Sequence, residues 1–394
     1  MDSQKQITVN IINRYPPYVG ITGDSAAELA LFFCKAGFYV NMICVDAAYS
    51  ASEAERRSVG TVHKIRAFYN GKNKYFRLLA SLLEGFFLIK KSKKIVCDVI
   101  ICMTDPPLIN AWASLLLKHK KWMLWSMDLY PDAFVADKLI SANNLFYKII
   151  DRLTMKNIPQ YIIALGPVQV EYLRNKYHGR SQFFSLPCGI FNSVQENVKE
   201  TPGWADDTGK MLLGYCGNLG EAHSLNFLYA VIDNLDVSKF KLILSIYGSK
   251  AGKLEKYIQG KKGIELVSFV SRAHLKYIDV HLASLKKEWI NICVPSKTVS
   301  SVCAGSAFLY YGAEYSDNWV LLKGAGWLIS SDEDVNGSVK RFFANFRYEE
   351  LVYKKLAAQN VAKRLAEEKK STFEKLVKTI REISIDNSVC FYKR

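Results

Sequence analysis

The run Val294-Pro295-Ser296-Lys297 places a helix-stopping proline, a hydroxyl and a lysine in consecutive positions. Proline cannot donate to a strand or sit inside a helix, and serine is a favoured N-cap. The spacing predicts a short helix from Ser296, its cap, to Ala304, ending near Gly305. Free N–H groups, a hydroxyl and a lysine at such an end can hold an anion; the plain alternative is an ordinary capped helix. Two carboxylates end apolar runs: Asp105 after Val96 to Met103, and Asp128 after Trp122 to Met127. Asp105 reads best as a turn or helix cap. Asp128 precedes a loop, so a turn residue and a ligand-facing carboxylate both stay open. The one D-x-D, Asp332-Glu333-Asp334, precedes a helix at about Gly337. Acids suit a helix N-terminus, so this is read as a cap and no metal is expected.

The elements that must position these groups alternate. Ile7 to Ile12 is a strand, and a loop with Tyr15-Pro16-Pro17, Gly20, Thr22 and Gly23 follows. Asp24 or Ser25 can cap a helix from Ala26 to Lys35, and Val40 to Val45 is the next strand. There is no G-x-G-x-x-G, so the glycines indicate either close approach of a ligand to the backbone or a plain turn. Strands follow at Val96 to Met103, Trp122 to Met127 and Tyr161 to Leu165. From Asn192 to Lys210 the chain turns polar and aperiodic, with Pro202, Gly203 and Asp206-Asp207, as a linker does. The alternation then restarts at Met211 to Cys216, which ends in Gly217-Asn218-Leu219-Gly220-Glu221-Ala222-His223. A helix from Ser224, a strand from Lys241 to Tyr247 ending at Gly248, and a strand from Ile278 to Leu285 lead back to Pro295. Strand, anion-binding helix start and strand make half of a nucleotide-binding α/β domain. Two such halves imply an α/β chain of two Rossmann-like domains facing a central cleft: 1–190, a linker 191–210, 211–370, and a C-terminal helix and tail 371–394.

Composition narrows the setting. The 394 residues carry a net charge of +16 and nine cysteines without C-x-x-C or zinc spacing. Most cysteines sit in apolar runs, which suits a reducing cytosol. No leader is visible and no run reaches the roughly 20 apolar residues of a spanning helix, so a cytoplasmic location is expected. From Lys64 to Lys94 there are nine Lys/Arg and one acid, Glu84, interleaved with aromatic residues. A basic, aromatic helix such as Tyr75 to Lys91 can lie in an anionic membrane interface or be a core helix with lysine ends. Lys118 to Lys121 beside Trp122 and Trp125 favours the membrane. No nucleic-acid module is found, and no nucleic-acid partner is expected.

Five segments together carry a resemblance. Tyr15-Pro16-Pro17 with its glycine loop, Trp125 to Pro131 (WSMDLYP), Leu186 to Ile190, Gly217 to His223 (GNLGEAH), and Pro295-Ser296-Lys297 with Ala304-Gly305 resemble the GT-B glycosyltransferases of family 4. The nearest branch is the bacterial one that builds surface polysaccharides, including the colanic-acid and fucosamine transferase types. The resemblance implies transfer of a sugar from a nucleoside diphosphate sugar, expected to be UDP-linked, to a polyprenyl-diphosphate-linked saccharide. Retention of configuration, no metal or other cofactor, and peripheral attachment to the inner face of the plasma membrane belong to the same expectation. Asp128 matches a position beside the transferred sugar. The donor would meet Gly217, Asn218, Gly220, His223, Gly248, Pro295, Ser296 and Lys297.

The chain departs from the family pattern in two places. The second glutamate of the family's E-x7-E pair is replaced by Ser300; Glu314 or Asp317, after the next strand, could take over its contact with the donor ribose. The family's Arg and Lys after the first strand of the second domain correspond to Asn218 and His223, so Lys297, Lys250 and Lys253 are candidates for meeting the diphosphate charge. A nucleotide-sugar epimerase of the same fold and an inactive membrane-associated scaffold are the alternatives.

Overall fold

The computed structural model describes residues 6–46, 59–69, 71, 73–191, 200–205 and 209–391, with the side chains of 74, 75 and 386–391 excepted. The chain divides into two compact units, one of residues up to Cys188 together with those from Lys370 onward, the other Gly189–Lys369.

The first unit runs β1 (Thr8–Ile12), α1 (Gly20–Lys35), β2 (Tyr39–Asp46), β3 (Thr61–Arg66), α2 (Lys74–Lys94), β4 (Val99–Met103), α3 (Ile109–Leu116), β5 (Trp122–Trp125), α4 (Asp132–Ala136), α5 (Leu145–Thr154), β6 (Tyr161–Ala164), α6 (Pro167–Lys176) and β7 (Gln182–Ser185). Its strands form one sheet in the order β3-β2-β1-β4-β5-β6-β7, every pair parallel. Parallel strands are covered on both faces, so they read as unbroken apolar runs. β4 and β5 are buried at every residue. A polar ladder crosses the buried strands: Asn41 Nδ2 donates to Asn10 Oδ1 at 2.9 Å, and His63 Nε2 lies 3.0 Å from Asn41 Oδ1. Each amide has a partner, as burial demands.

The second unit runs β8 (Met211–Asn218), α7 (Leu225–Asp233), β9 (Phe240–Tyr247), α8 (Ala251–Tyr257), β10 (Ile264–Leu266), β11 (Val280–Ser284), α9 (Ser296–Cys303), β12 (Ala307–Gly312), α10 (Asp317–Leu322), β13 (Gly326–Ser330), α11 (Val335–Asn345) and the 44-residue α12 (Tyr348–Phe391). The sheet order is β10-β9-β8-β11-β12-β13, again all parallel. This is the 3-2-1-4-5-6 arrangement of a Rossmann unit; the first unit repeats it with one further strand. Leu213, Tyr215, Phe227, Leu244, Leu282 and Leu309 lie in its main core. Past Lys369, α12 belongs to the first unit, where Phe373 packs on Phe32 and Thr372 donates to the Ser185 carbonyl.

Several local expectations are corrected. Gly20, Thr22 and Gly23 are not in a loop: α1 begins at Gly20, six residues before Ala26, and neither Asp24 nor Ser25 caps it. The chain enters the helix through positive φ at Tyr18 and Gly20, and Gly23 packs so close to Pro16 that a Cβ would stand 2.4 Å from its carbonyl oxygen. Trp122 and Trp125 are core residues of β5, 2% and 1% exposed, so they cannot anchor a surface. Lys64 and Arg66, the first cations of the basic segment, lie in the edge strand β3, ahead of α2. Within the expected linker, Gly203–Ala205 forms a 3-10 turn whose Trp204 packs under Ile243 and Ile278. The Asp206-Asp207 pair lies outside the described residues.

Candidate functional site

In the second unit the expected residues converge on the C-terminal edge of β8. Pro295, not Ser296, is the N-cap of α9, and no side chain caps it; the proline's fixed φ suits the turn into the helix. Lys297 therefore sits at the second helical position, with its stem crossing to β8. Gly217, at φ +118°, leaves room for it: a Cβ there would lie 3.1 Å from Lys297 Cε. The Lys297 ammonium meets three acceptors, the Asn218 carbonyl at 2.6 Å, Tyr215 Oη at 3.0 Å and His223 Nε2 at 2.8 Å. It also lies over the Tyr215 ring.

The loop that holds these groups is tied at both ends. Leu219 N donates to the Tyr247 carbonyl, Lys286 N to the Ala222 carbonyl, and Ser224 N to Ser284 Oγ. His223 Nδ1 is 2.6 Å from the Ser284 carbonyl, which can only accept, so Nδ1 carries the hydrogen and Nε2 is left as an acceptor. Burial, then the nearby Lys297, hold His223 down at about 3. Burial pulls Lys297 down to about 7. Gly248, at φ +107°, ends β9 beneath the Asn218 side chain; a Cβ would stand 2.1 Å from Asn218 Oδ1. Gly220 lies on the other side of the same amide.

Lys250 donates to the carbonyls of Glu221 and His223 and pairs with the Glu221 carboxylate, so it braces the loop from below. Lys253 and Glu314 are exposed, and Lys253 N donates to the Lys250 carbonyl at 3.1 Å. Asp317 is buried in the first turn of α10, and its neighbour Asn318 donates to the Pro295 carbonyl and Thr298 Oγ1. Ser300 donates to the Gly189 carbonyl at 3.2 Å. The D-x-D acids all have partners: Asp332 pairs with Lys287, Glu333 with Arg341, and Asp334 caps α11. Among the described residues no group of three or more His, Cys, Asp or Glu is gathered as metal ligands.

In the first unit Asp128 is exposed just past β5. Thr104 fixes its backbone, accepting from Met127 N at 2.8 Å and Asp128 N at 2.9 Å. Asn110 holds the following turn through the Tyr130 carbonyl. Surrounding protein, then Asp137, hold the Asp128 carboxyl above the usual range. Asp105, half-buried beside it, is pushed to about 7 by burial, with Arg14 opposing and Asp128 and Glu84 adding to the rise. Arg14 also bonds the buried Glu84 at 2.8 Å. Asp132, in the same segment, is committed to Tyr147, Tyr172 and Lys176 and holds α4, α5 and α6 together. Tyr215, Ser284, Thr104 and Arg14 were not singled out by sequence reasoning. Tyr215 alone carries a signal, since it stands two residues before Gly217 on the same face of a strand.

No model of a protein family matches the chain, and no curated protein matches it in sequence. Solved structures do match its fold over nearly the whole length. Sucrose-phosphate synthase (tll1590) from Thermosynechococcus elongatus is similar at a TM-score of 0.70 and 13% identity, covering 96% of this chain and 99% of its own. WaaG, a glycosyltransferase involved in lipopolysaccharide biosynthesis, gives 0.65 and 11%, covering 95% and 99%. Alr3699/HepE from Anabaena, solved with UDP and glucose, gives 0.64 and 11%, covering 94% and 99%. With the two parallel sheets described above, these likenesses establish that the chain has the GT-B fold, built from two Rossmann-like α/β units.

Proposed function

We propose that the chain is a glycosyltransferase that takes a sugar from a nucleoside diphosphate donor, UDP-linked, and passes it to a polyprenyl-diphosphate-linked saccharide. The observation that carries this reading is the Lys297 ammonium at the C-terminal edge of β8. Ligands of open parallel sheets bind beyond the carboxyl ends of the strands. The sequence lacks a cation at Asn218 and His223, and Lys297 brings one into that same loop. A departing diphosphate needs positive charge and N–H donors already in place, and the start of α9 supplies both. UDP in the HepE structure and the lipopolysaccharide role of WaaG support the donor and acceptor classes. On the acceptor side, Asp128 is the exposed carboxylate that Thr104 holds in position.

Attachment to an anionic membrane surface belongs to the same proposal. α2 buries Ser81, Glu84, Gly85, Leu88, Ile89 and Ser92 at helical spacing. It exposes Phe76, Leu79, Leu83 and Phe87 along its other face, 60%, 54%, 41% and 37% accessible. Arg77, Lys90, Lys91, Lys93 and Lys94 are exposed on the same helix. An exposed apolar stripe edged by lysines suits the headgroup boundary of an anionic leaflet; no described helix is long and apolar enough to cross it.

The second reading, a scaffold without transfer activity, is favoured by Ser300, whose hydroxyl bonds the Gly189 carbonyl where the family pattern has a carboxylate. Incubation with labelled UDP-sugars, with and without polyprenyl-linked acceptor, separates the readings. Label moving to lipid supports transfer, an epimerised nucleotide sugar indicates epimerase activity, and UDP binding without turnover supports the scaffold.

A further inference from the structure

We infer that Lys297 and His223 share a single site for one proton, partly empty in the free protein, and that this site fills from solvent when a nucleoside diphosphate settles on the loop after β8. The inference rests on the nucleotide-binding reading above.

The geometry allows both positions of the proton without moving a heavy atom. His223 Nδ1 donates to the Ser284 carbonyl. Its Nε2, 2.8 Å from Lys297 Nζ, either accepts from an ammonium or, once protonated, donates to a neutral amine. The other partners of Lys297 are neutral: the Asn218 carbonyl, and Tyr215, whose own hydrogen goes to that carbonyl at 3.1 Å. Among the described residues no carboxylate contacts the ammonium. Glu221, the nearest acid in the loop, is engaged by Lys250. The other charges acting on the pair, Lys250 and Lys286, are positive. The Cys216 and Cys293 thiols would favour the ammonium only as thiolates, and burial pushes Cys216 up to about 12.

A half-buried lysine whose partners are all neutral loses its proton more readily than a free one, and Lys297 is pulled down to about 7. Near neutral pH the pair therefore carries less than a full charge. A diphosphate supplies the missing counter-ion. The step balances as one proton from the buffer joining the Lys297 amine, with no other bond to hydrogen made or broken. One ammonium N–H then turns from the Asn218 carbonyl to a phosphate oxygen. His223 is a positioning residue: as a neutral acceptor it fixes the amine over Gly217.

Calorimetry of UDP binding to the full chain at pH 8, in PIPES, HEPES and Tris, reads the proton directly from the dependence of heat on buffer ionisation. UDP is fully ionised at that pH and has no proton to exchange. The expected uptake is roughly half to one proton in the wild type, and close to none in Lys297→Arg, whose guanidinium keeps its charge. Equal uptake in both proteins, or binding with no buffer dependence in the wild type, overturns the inference. If UDP does not bind, the nucleotide reading fails, and the shared proton is then decided in the free protein by lysine 13Cε NMR. A resonance missing from Lys297→Arg that titrates near 7 supports the pair; one that titrates in the ordinary lysine range rules it out.

Discussion

Lys297 Nζ lies 2.8 Å from His223 Nε2, across 74 positions of sequence. The cation that opens α9 is thereby delivered to the loop that follows β8, and a neutral imidazole holds it there. In the proposed donor site, the charge at the loop after β8 is thus supplied from outside that loop.

Lys297→Ala removes that charge and leaves His223 and the Asn218 carbonyl without their shared partner. A hydrogen bond to a charged group contributes about 1.5–3 kcal/mol, so UDP affinity should fall by roughly 10- to 100-fold. Calorimetric UDP binding unchanged in this variant would remove Lys297 from the site. Lys253→Ala, on an exposed α8 position, is the comparison and should bind UDP far more nearly as the wild type does.

The fold was legible because buried parallel strands declare themselves. Runs such as Val99 to Met103 are apolar at every position, and the alternation with helices sets the order of the units. The start of α1 was not legible. It is set by positive φ at Tyr18 and Gly20 and by the packing of Gly23 on Pro16, which local capping rules do not encode. The site was half legible. Gly217, Gly220, the proline and Lys297 stand out by type, whereas Tyr215 and Ser284 act through tertiary contacts and look like ordinary strand residues. The tryptophans at 122 and 125 misled for the same reason, since a lysine cluster next to a core strand resembles a surface anchor in one dimension.

The α2 surface predicts binding to vesicles containing phosphatidylserine, strongest at low salt and weakening as screening increases. Phe76→Ser combined with Leu83→Ser should reduce binding by at least about tenfold, since each residue would otherwise bury apolar surface worth on the order of 1.5–3 kcal/mol. Both side chains are exposed, so thermal stability should change little. Sedimentation that finds no vesicle binding at low salt, or equal binding by the double variant, would sink the membrane proposal.

His281 predicts acid sensitivity of the second unit. It is 5% exposed on β11, donates from Nε2 to the Leu275 carbonyl, and is held down at about 4 by burial. Its folded value lies below the unfolded one, near 6.5. The unfolded chain therefore binds the extra proton, and stability present above pH 6.5 is lost as pH falls toward 4. Between pH 7.5 and 5 this residue alone should cost on the order of 2 kcal/mol. Urea unfolding of the wild type and His281→Gln at both values tests it. The variant should lose less on acidification, and identical losses would show that another group carries the acid dependence.

Asp128 gives the sharpest test of the first unit. Its backbone N–H is anchored on Thr104 Oγ1, and the residue is exposed just past β5. In the proposed reaction positive charge develops at the anomeric carbon, and a fixed carboxylate nearby would favour that charge in the transition state more than in the ground state. Asp128→Asn keeps the shape and removes the charge. Turnover should fall on the order of 10²-fold, while UDP affinity, set in the other unit, stays close to normal. That pattern, kcat lowered with donor binding preserved, marks an interaction made mainly in the transition state. Thr104→Val should produce a smaller loss of the same kind, since it frees the backbone of Met127 and Asp128 without removing the carboxylate. A near-normal rate of transfer by Asp128→Asn would leave Asp128 a turn residue and remove the support for an active group on the first unit.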